Sequence, residues 1–241
     1  MQQMGVFRRQ FLLESALALK ASLAEKNIDL ILLRGNNKTS ARLKAICQHY
    51  ELEEVVTTFP RGVYEKELLR ALCTHAQVMT CEDDSLLSSD DLPFVEVPEV
   101  FTAFRKKVEK RLDIRDLCQT PLFNAFQDTE GFGAAFEPID TPRHPDSALP
   151  FKGGEAAAWK RLDHYFWGTE QLAVYKETRN GMIGTDFSSK FSAFLALGNL
   201  SPVQIYHAIE DFEDQVVENK STYWLFFELL WREFFIWVAT K

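Results

Sequence analysis

The chain carries no G-x-G-x-x-G and no G-x-x-x-x-G-K-[ST], so neither common nucleotide fingerprint is present. Cysteine is scarce: 4 in 241 residues, at Cys47, Cys73, Cys81 and Cys118, with no C-x-x-C pair. That argues against a structural zinc site or a redox dithiol and for reduced thiols in a cytoplasmic compartment. The 5 histidines, His49, His75, His144, His164 and His207, form no H-E-x-x-H and no i, i+4 pair, so no metal site is expected. Positive charge is in deficit, 27 Lys and Arg against 35 Asp and Glu, for a net charge of -8. A broadly basic nucleic-acid coat is excluded, but a local basic groove is not, because phosphate affinity follows the local field. The N-terminal "MQQMGVFRRQFLLES" lacks the apolar run of a signal peptide.

Long apolar runs free of charge are also missing, which excludes a membrane span. The nearest approach is the final "STYWLFFELLWREFFIWVATK", with 8 aromatic residues from Tyr223 onward. Glu228, Arg232 and Glu233 interrupt it. Three charges near mid-bilayer cost about 2.5 to 3.5 kcal/mol each, so no membrane partner is expected. Aromatics are otherwise plentiful, with 20 Phe and 5 Trp.

The first half alternates in period. "FRRQFLLESALALKASLAEK" has helical spacing, "IDLILLRG" reads as a buried strand, and "TSARLKAICQHYEL" is helical again. "EEVVTTF" reads as strand, "YEKELLRALCTHA" as helix, and "QVMTCEDDSLL" as strand running into loop. This is the signature of βαβ units and a parallel sheet. The sheet is short at its start, because the first element is a helix. Residues 88–150 hold one amphipathic helix, near Thr102 to Leu112, and then a connector rich in Pro, Gly and Asp. From Gly154 onward the pattern is helical, including "SPVQIYHAIEDFEDQVVE" with Ser201 as N-cap and Pro202 at the first helical position.

Three features carry candidate chemistry. In "GTDFSSKFSAFLALG", Ser188 and Ser189 precede a helix expected to hold Lys190 and Ser192 in its first turn. Amides, hydroxyls and an ammonium then converge as a phosphate requires, although an ordinary N-cap accounts for the serines equally well. "YKETRNGMIG" sets Tyr175, Lys176, Arg179 and Asn180 just upstream, either as a polar strip feeding that anion site or as a solvated helix end. On the terminal helix, Trp224, Glu228, Trp231, Arg232 and Phe235 share one face, and Phe227, Leu230, Phe234 and Trp237 form a second, apolar face expected to be core. Glu228 and Arg232 are spaced for an i, i+4 ion pair on a wet surface. Indoles beside a fixed carboxylate also suit a planar heterocycle or an extruded base.

"YKETRNGMIGTDFSSKFSAFLALGNLSPVQIY" followed by "STYWLFFELLWREFF" resembles the photolyase/cryptochrome family, and most of all its cryptochrome DASH branch. "FRRQFLLES", "DDLPFVEVPEVFTAFRKKVE" and "FKGGEAAAWKRLDHYFW" are similar to that branch in the same order. The resemblance implies an α/β plus all-α architecture: an incomplete doubly wound parallel-sheet antenna domain over 1–112, a connector over 113–150, and part of a helical FAD-binding domain over 151–241. It implies blue-light-driven repair of cyclobutane pyrimidine dimers, with single-stranded or damaged DNA as partner and reduced FAD as electron donor. A folate antenna, 5,10-methenyltetrahydrofolate, is common in the branch. By matching motif, Ser188, Ser189, Lys190, Phe191 and Ser192 correspond to the flavin phosphate-binding segment, and Tyr175 to a tyrosine near those phosphates. Arg232 corresponds to an arginine on the flavin side, Glu228 and Trp231 to the groups that receive the dimer, and Glu14 to a folate contact.

The chain departs from the family pattern in four places. A "WFRNDLR"-like strand and the strand after it are missing, and nothing follows the "ELLWREFF" helix where the family continues. "SPV" stands for the usual "SPR", leaving Val203 where a cation is normal, and "QQMG" stands for "KTG". The expectation is a fragment or truncated gene product with impaired flavin binding. Its alternatives are a non-repair photoreceptor or DNA-binding regulator, and a cofactor-free remnant that associates with another chain covering the missing half.

Overall fold

The computed structural model describes residues 4–35, 39–74, 76–82, 84–119, 131–142 and 144–240. His75 and positions 120–130 of the expected connector lie outside them. The first helix, α1 (Val6–Ala24), is followed by α2 (Thr39–His49), β1 (Glu54–Thr58), α3 (Val63–Leu72) and β2 (Gln77–Cys81). The two strands pair in parallel, from Glu54 with Gln77 to Thr58 with Cys81, and α3 makes the crossover that a parallel pair needs.

One expected strand does not form. In "IDLILLRG" only Ile28 makes a bridge, and positions 29–35 carry no ladder. An apolar run becomes a strand only if a neighbour takes its amides and carbonyls. Here the neighbour is the irregular segment 131–136: the Ala134 amide donates to the Leu32 carbonyl at 2.8 Å, and Arg34 Nη2 donates to the Ala135 carbonyl at 3.3 Å. The described sheet therefore has two strands, and Val56 and Met79 on it stay exposed.

Helices build the rest. They are α4 (Phe101–Val108), α5 (Glu155–Asp163), α6 (Tyr175–Thr178), α7 (Ser192–Leu195), α8 (Pro202–Gln215) and α9 (Lys220–Ala239). A π-turn (His164–Gly168) continues α5, and a 3-10 turn (Gln171–Val174) leads into α6. Ser201 caps α8 as its sequence predicts, accepting from the Gln204 amide at 3.0 Å while Gln204 Oε1 accepts from the Ser201 amide at 2.8 Å. Asn219 caps α9 by accepting from the Ser221 and Thr222 amides. One hydrophobic cluster runs from Phe11 through Leu86, Leu87 and α4 to α9, and its fully buried centre is Phe104, Leu162, Tyr165, Phe166, Phe194, Phe212 and Leu230. Between 28 and 82 the described chain adds only Cys47 and Pro60 to the buried set. The helical half holds the core, and the small sheet lies at its margin.

Candidate functional site

Helix α9 buries a stripe of Phe226, Leu229, Leu230, Glu233, Phe234 and Trp237, spaced at i, i+3, i+4, i+7, i+8 and i+11. The expected apolar face is thus correct for Leu230, Phe234 and Trp237, but Phe227 is half-buried and Glu233 lies inside the stripe at 0% exposure. Glu233 stays there because its oxygens accept from the Leu86 amide at 2.8 Å, the Leu87 amide at 3.1 Å and Trp237 Nε1 at 2.7 Å. Burial pushes its pKa up against the pull of those donors and of Arg232.

The i, i+4 pair between Glu228 and Arg232 does not form. Glu228 Oε1 instead accepts from Arg179 Nη1, across from α6, at 2.8 Å. Arg232 Nη1 donates to the Asp84 carbonyl at 2.7 Å, in a network where Arg61 grips the Asp84 carboxylate bidentately. A tertiary donor for Glu228, Arg179, and a tertiary acceptor for Arg232, the Asp84 carbonyl, replace one surface contact worth a few tenths of a kcal/mol. Arg61 also lies over the Trp237 ring, 5.1 Å from its centroid. This end of α9 fastens segment 84–87 and is not aimed at the Ser188–Ser192 turn.

The other end of α9 meets α6. Lys176 Nζ lies 4.9 Å and Arg179 Cζ 5.4 Å from the Trp224 ring centroid. Tyr175 beside them is buried, and its pKa is pushed up to about 12, first by burial and then by the Glu228 carboxylate, with Arg179 opposing. Arg179 Nε and Trp224 Nε1 are buried donors without an acceptor among the described residues. The upstream polar strip therefore serves Glu228 and Trp224. Trp231, half-buried, stacks on Phe101 of α4 with centroids 3.6 Å apart and 15° between planes.

The serine turn departs from its expected form. Helix α7 is a single turn beginning at Ser192, so Lys190 precedes it in the left-handed region, at φ 61. Ser189 is buried, Ser188 and Lys190 are half-buried, and Ser192 is exposed. Buried beneath the turn is Arg161. Its Nε donates to the Ser189 carbonyl at 3.0 Å, Nη2 to the Thr185 and Ser188 carbonyls at 2.8 and 3.0 Å, and Nη1 to Asp186 Oδ1 at 2.6 Å. With the carbonyls held inward, the Ser188, Ser189 and Lys190 amides find no acceptor among the described residues. Gly181 lets the preceding turn close, since a Cβ there would lie 2.5 Å from the Phe187 ring. Tyr165 is buried between the two regions, with the Arg161 guanidinium 4.8 Å from its ring centroid, and burial pushes its pKa up.

Glu14 takes a packing position. Its carboxylate accepts from Gln10 Nε2 at 3.0 Å and the Gly153 amide at 2.8 Å, closing α1 onto the start of the helical half. A cavity of about 520 Å³ opens nearby, lined by Phe7, Phe11, Leu12, Leu149, Ala193 and Leu197 among others, and it takes in none of the candidate site residues. Sequence reasoning missed Arg161 and Glu233. Both had a signal: Arg161 falls with Ala158, Leu162 and Tyr165 on one stripe, as Glu233 does on α9, and an ionic residue on a buried stripe must be fully partnered. Among the described residues, no His, Cys, Asp and Glu cluster suits a metal ion, and no helix is long and apolar enough to cross a membrane.

A small parallel sheet followed by a helical body is the architecture observed, and comparison with known proteins gives its class. The DNA photolyase family model matches residues 1–123, and the chain belongs to the photolyase/cryptochrome family. Within it the likeness is to the DASH branch. The chain is 38% identical to cryptochrome DASH of Danio rerio over 98% of its own length and 48% of that protein. It is 39% identical to cryptochrome DASH of Gloeobacter violaceus over 100% and 50%. The crystal structure of the Synechocystis sp. PCC6803 cryptochrome superposes with a TM-score of 0.85 at 33% identity, covering 99% of this chain and 51% of that one. A class III photolyase from Agrobacterium tumefaciens shares the fold, with a TM-score of 0.68 at 20% identity. The chain thus spans about half the length of the relatives it matches.

Proposed function

We propose that this chain carries the flavin-phosphate turn and the base-receiving face of a cryptochrome DASH-like flavoprotein, whose activity is blue-light-driven repair of cyclobutane pyrimidine dimers in single-stranded DNA. The observation that supports the reading is the turn pinned from below by Arg161, together with Glu228 held by Arg179 beside Trp224. The turn suits FAD: three amides without acceptors among the described residues, together with Lys190, match the donor needs of a pyrophosphate. When bound, FAD supplies light absorption and the electron that opens the dimer.

The chain's own residues do the rest. Arg161 fixes the turn through the Thr185, Ser188 and Ser189 carbonyls. Arg179 orients Glu228, and Glu228 accepts from a pyrimidine N–H. Trp231, braced on Phe101, and Trp224 offer apolar walls that exclude water from an extruded base. Arg232 and Glu14 contribute through packing, by docking segment 84–87 and the 153 turn. The division into an α/β domain to residue 112, a connector and a helical domain from 151 belongs to the same proposal.

The test is illumination of a dimer-containing single-stranded oligonucleotide with the purified chain, FAD and a reductant. Dimer loss under blue light, absent in the dark and lowered by Glu228→Ala, is the expected result. A dimer count unchanged by light rules out repair by this chain and leaves the photoreceptor reading of the same scaffold.

A further inference from the structure

Asn180 belongs to the upstream polar strip but takes no part in the Glu228 and Trp224 contacts. It is exposed, it directly follows Arg179, and Gly181 follows it. Of the 7 asparagines in the chain, only Asn180 stands before a glycine. In that pairing the next backbone nitrogen reaches the side-chain amide most easily, because no Cβ obstructs the approach and the backbone is free to turn. The fold requires that glycine. A Cβ on Gly181 would lie 2.5 Å from the Phe187 ring, so a larger residue would keep the turn from closing.

One hydrogen bond holds the reaction back. The Gly181 amide, which has to do the attacking, donates to the Thr178 carbonyl at 2.8 Å. Thr178 ends α6, a helix of 4 residues, and chain ends held by so few bonds open at little cost. Past Gly181, Met182 and Ile183 are 87% and 77% exposed, so little apolar packing holds this segment shut.

We infer that Asn180 is a site of spontaneous deamidation, gated by the hydrogen bond from Gly181 to Thr178, and that its product loosens the turn between Arg179 and Phe187. When that bond opens, the Gly181 nitrogen gives its proton to solvent base and attacks the Asn180 side-chain carbonyl carbon. Ammonia leaves and a succinimide remains. Water opens the ring at either carbonyl, to aspartate or to isoaspartate, and nothing is oxidised or reduced. Either product places a carboxylate next to Arg179, whose Nη1 donates to Glu228 Oε1 at 2.8 Å. The new charge competes for that guanidinium. Isoaspartate also routes the backbone through an added methylene, and the close approach of Gly181 to Phe187 leaves no slack to take it up. The inference stands apart from the function proposed above and needs neither flavin nor DNA.

The experiment is ageing of the purified chain at mildly alkaline pH, then digestion after lysine and mass mapping of the peptide from Glu177 to Lys190. Wild type is aged folded and in urea, beside Asn180→Gln, whose longer side chain closes the ring far more slowly. Circular dichroism checks that the variant is folded. The expected result is conversion of that peptide to an aspartyl and an isoaspartyl form before any other asparagine of the folded chain reacts, at a rate that rises with pH and is several-fold faster in urea. A Glu177–Lys190 peptide that stays intact while other asparagines convert overturns the site. Equal rates in the folded chain and in urea overturn the gate. Chymotryptic cleavage at Phe187 reads the consequence, and aged wild type is expected to be cut several-fold faster than aged Asn180→Gln. Equal cleavage of those two proteins overturns the claim that the product loosens the turn.

Discussion

Replacing Glu233 gives the sharpest test of how the α9 end is fastened. In Glu233→Ala the Leu86 and Leu87 amides and Trp237 Nε1 lose their acceptors at 2.8, 3.1 and 2.7 Å. Leu86 and Leu87 are 1% and 2% exposed, so water does not replace the lost oxygens. Each stranded donor costs about 1 to 3 kcal/mol, and relief from holding a buried charge offsets part of the sum. The net expected cost is about 3 kcal/mol for Ala and about 2 kcal/mol for Gln, which keeps one acceptor and turns an amide group toward a donor. Glu233→Leu, closer in volume, gives no rescue, because the penalty lies in the stranded amides and not in a cavity. Urea unfolding followed by circular dichroism reads the difference as a midpoint shift at unchanged slope. A Leu variant at least as stable as wild type would refute the reasoning, since it would show that the buried charge costs more than its three bonds return.

The serine turn gives a pH-dependent prediction. Burial alone raises the Asp186 pKa, but its bonds and charge contacts with Arg161 and His164 outweigh burial, and the folded value lies below the ordinary 3.8. A lowered folded pKa contributes stability that is present above pH 3.8 and lost as the pH falls through the folded value. The stability gap between wild type and Asp186→Asn is expected at neutral pH and to narrow below about pH 4, read by urea midpoints at each pH. Arg161→Lys keeps the charge but loses the planar fork that reaches four oxygens, so it is expected to loosen 185–189 to proteolysis at all pH values.

How much the sequence reveals depends on which interactions decide each element. Helices such as α8 are legible because their cap and periodicity are local: Ser201, Pro202 and Gln204 sit within four positions. The strand expected at "IDLILLRG" was not decidable locally, because its ladder depends on a neighbour more than 100 positions away, near Ala134. The site divides in the same way. Spacing correctly placed Trp224 and Glu228 on one face of α9, but the partner of Glu228 is Arg179, 49 positions upstream, and not the adjacent Arg232. The buried clasps of Arg161 and Glu233 were written in the pattern as charges on apolar stripes. Their partners are backbone groups, which carry no side-chain signal, so only the fold identifies them. The family resemblance supplied what periodicity does not, the proposal that these faces belong to one flavin and base pocket.

The account's central claim is that the turn from Ser188 to Ser192 seats the flavin phosphates, and FAD titration of the purified chain tests it most directly. Flavin fluorescence is predicted to show weak, saturable binding that adenosine diphosphate displaces, that riboflavin without phosphate does not reproduce, and that Lys190→Glu weakens. Equal binding of riboflavin and FAD, or FAD binding untouched by Lys190→Glu and by adenosine diphosphate, would contradict the claim.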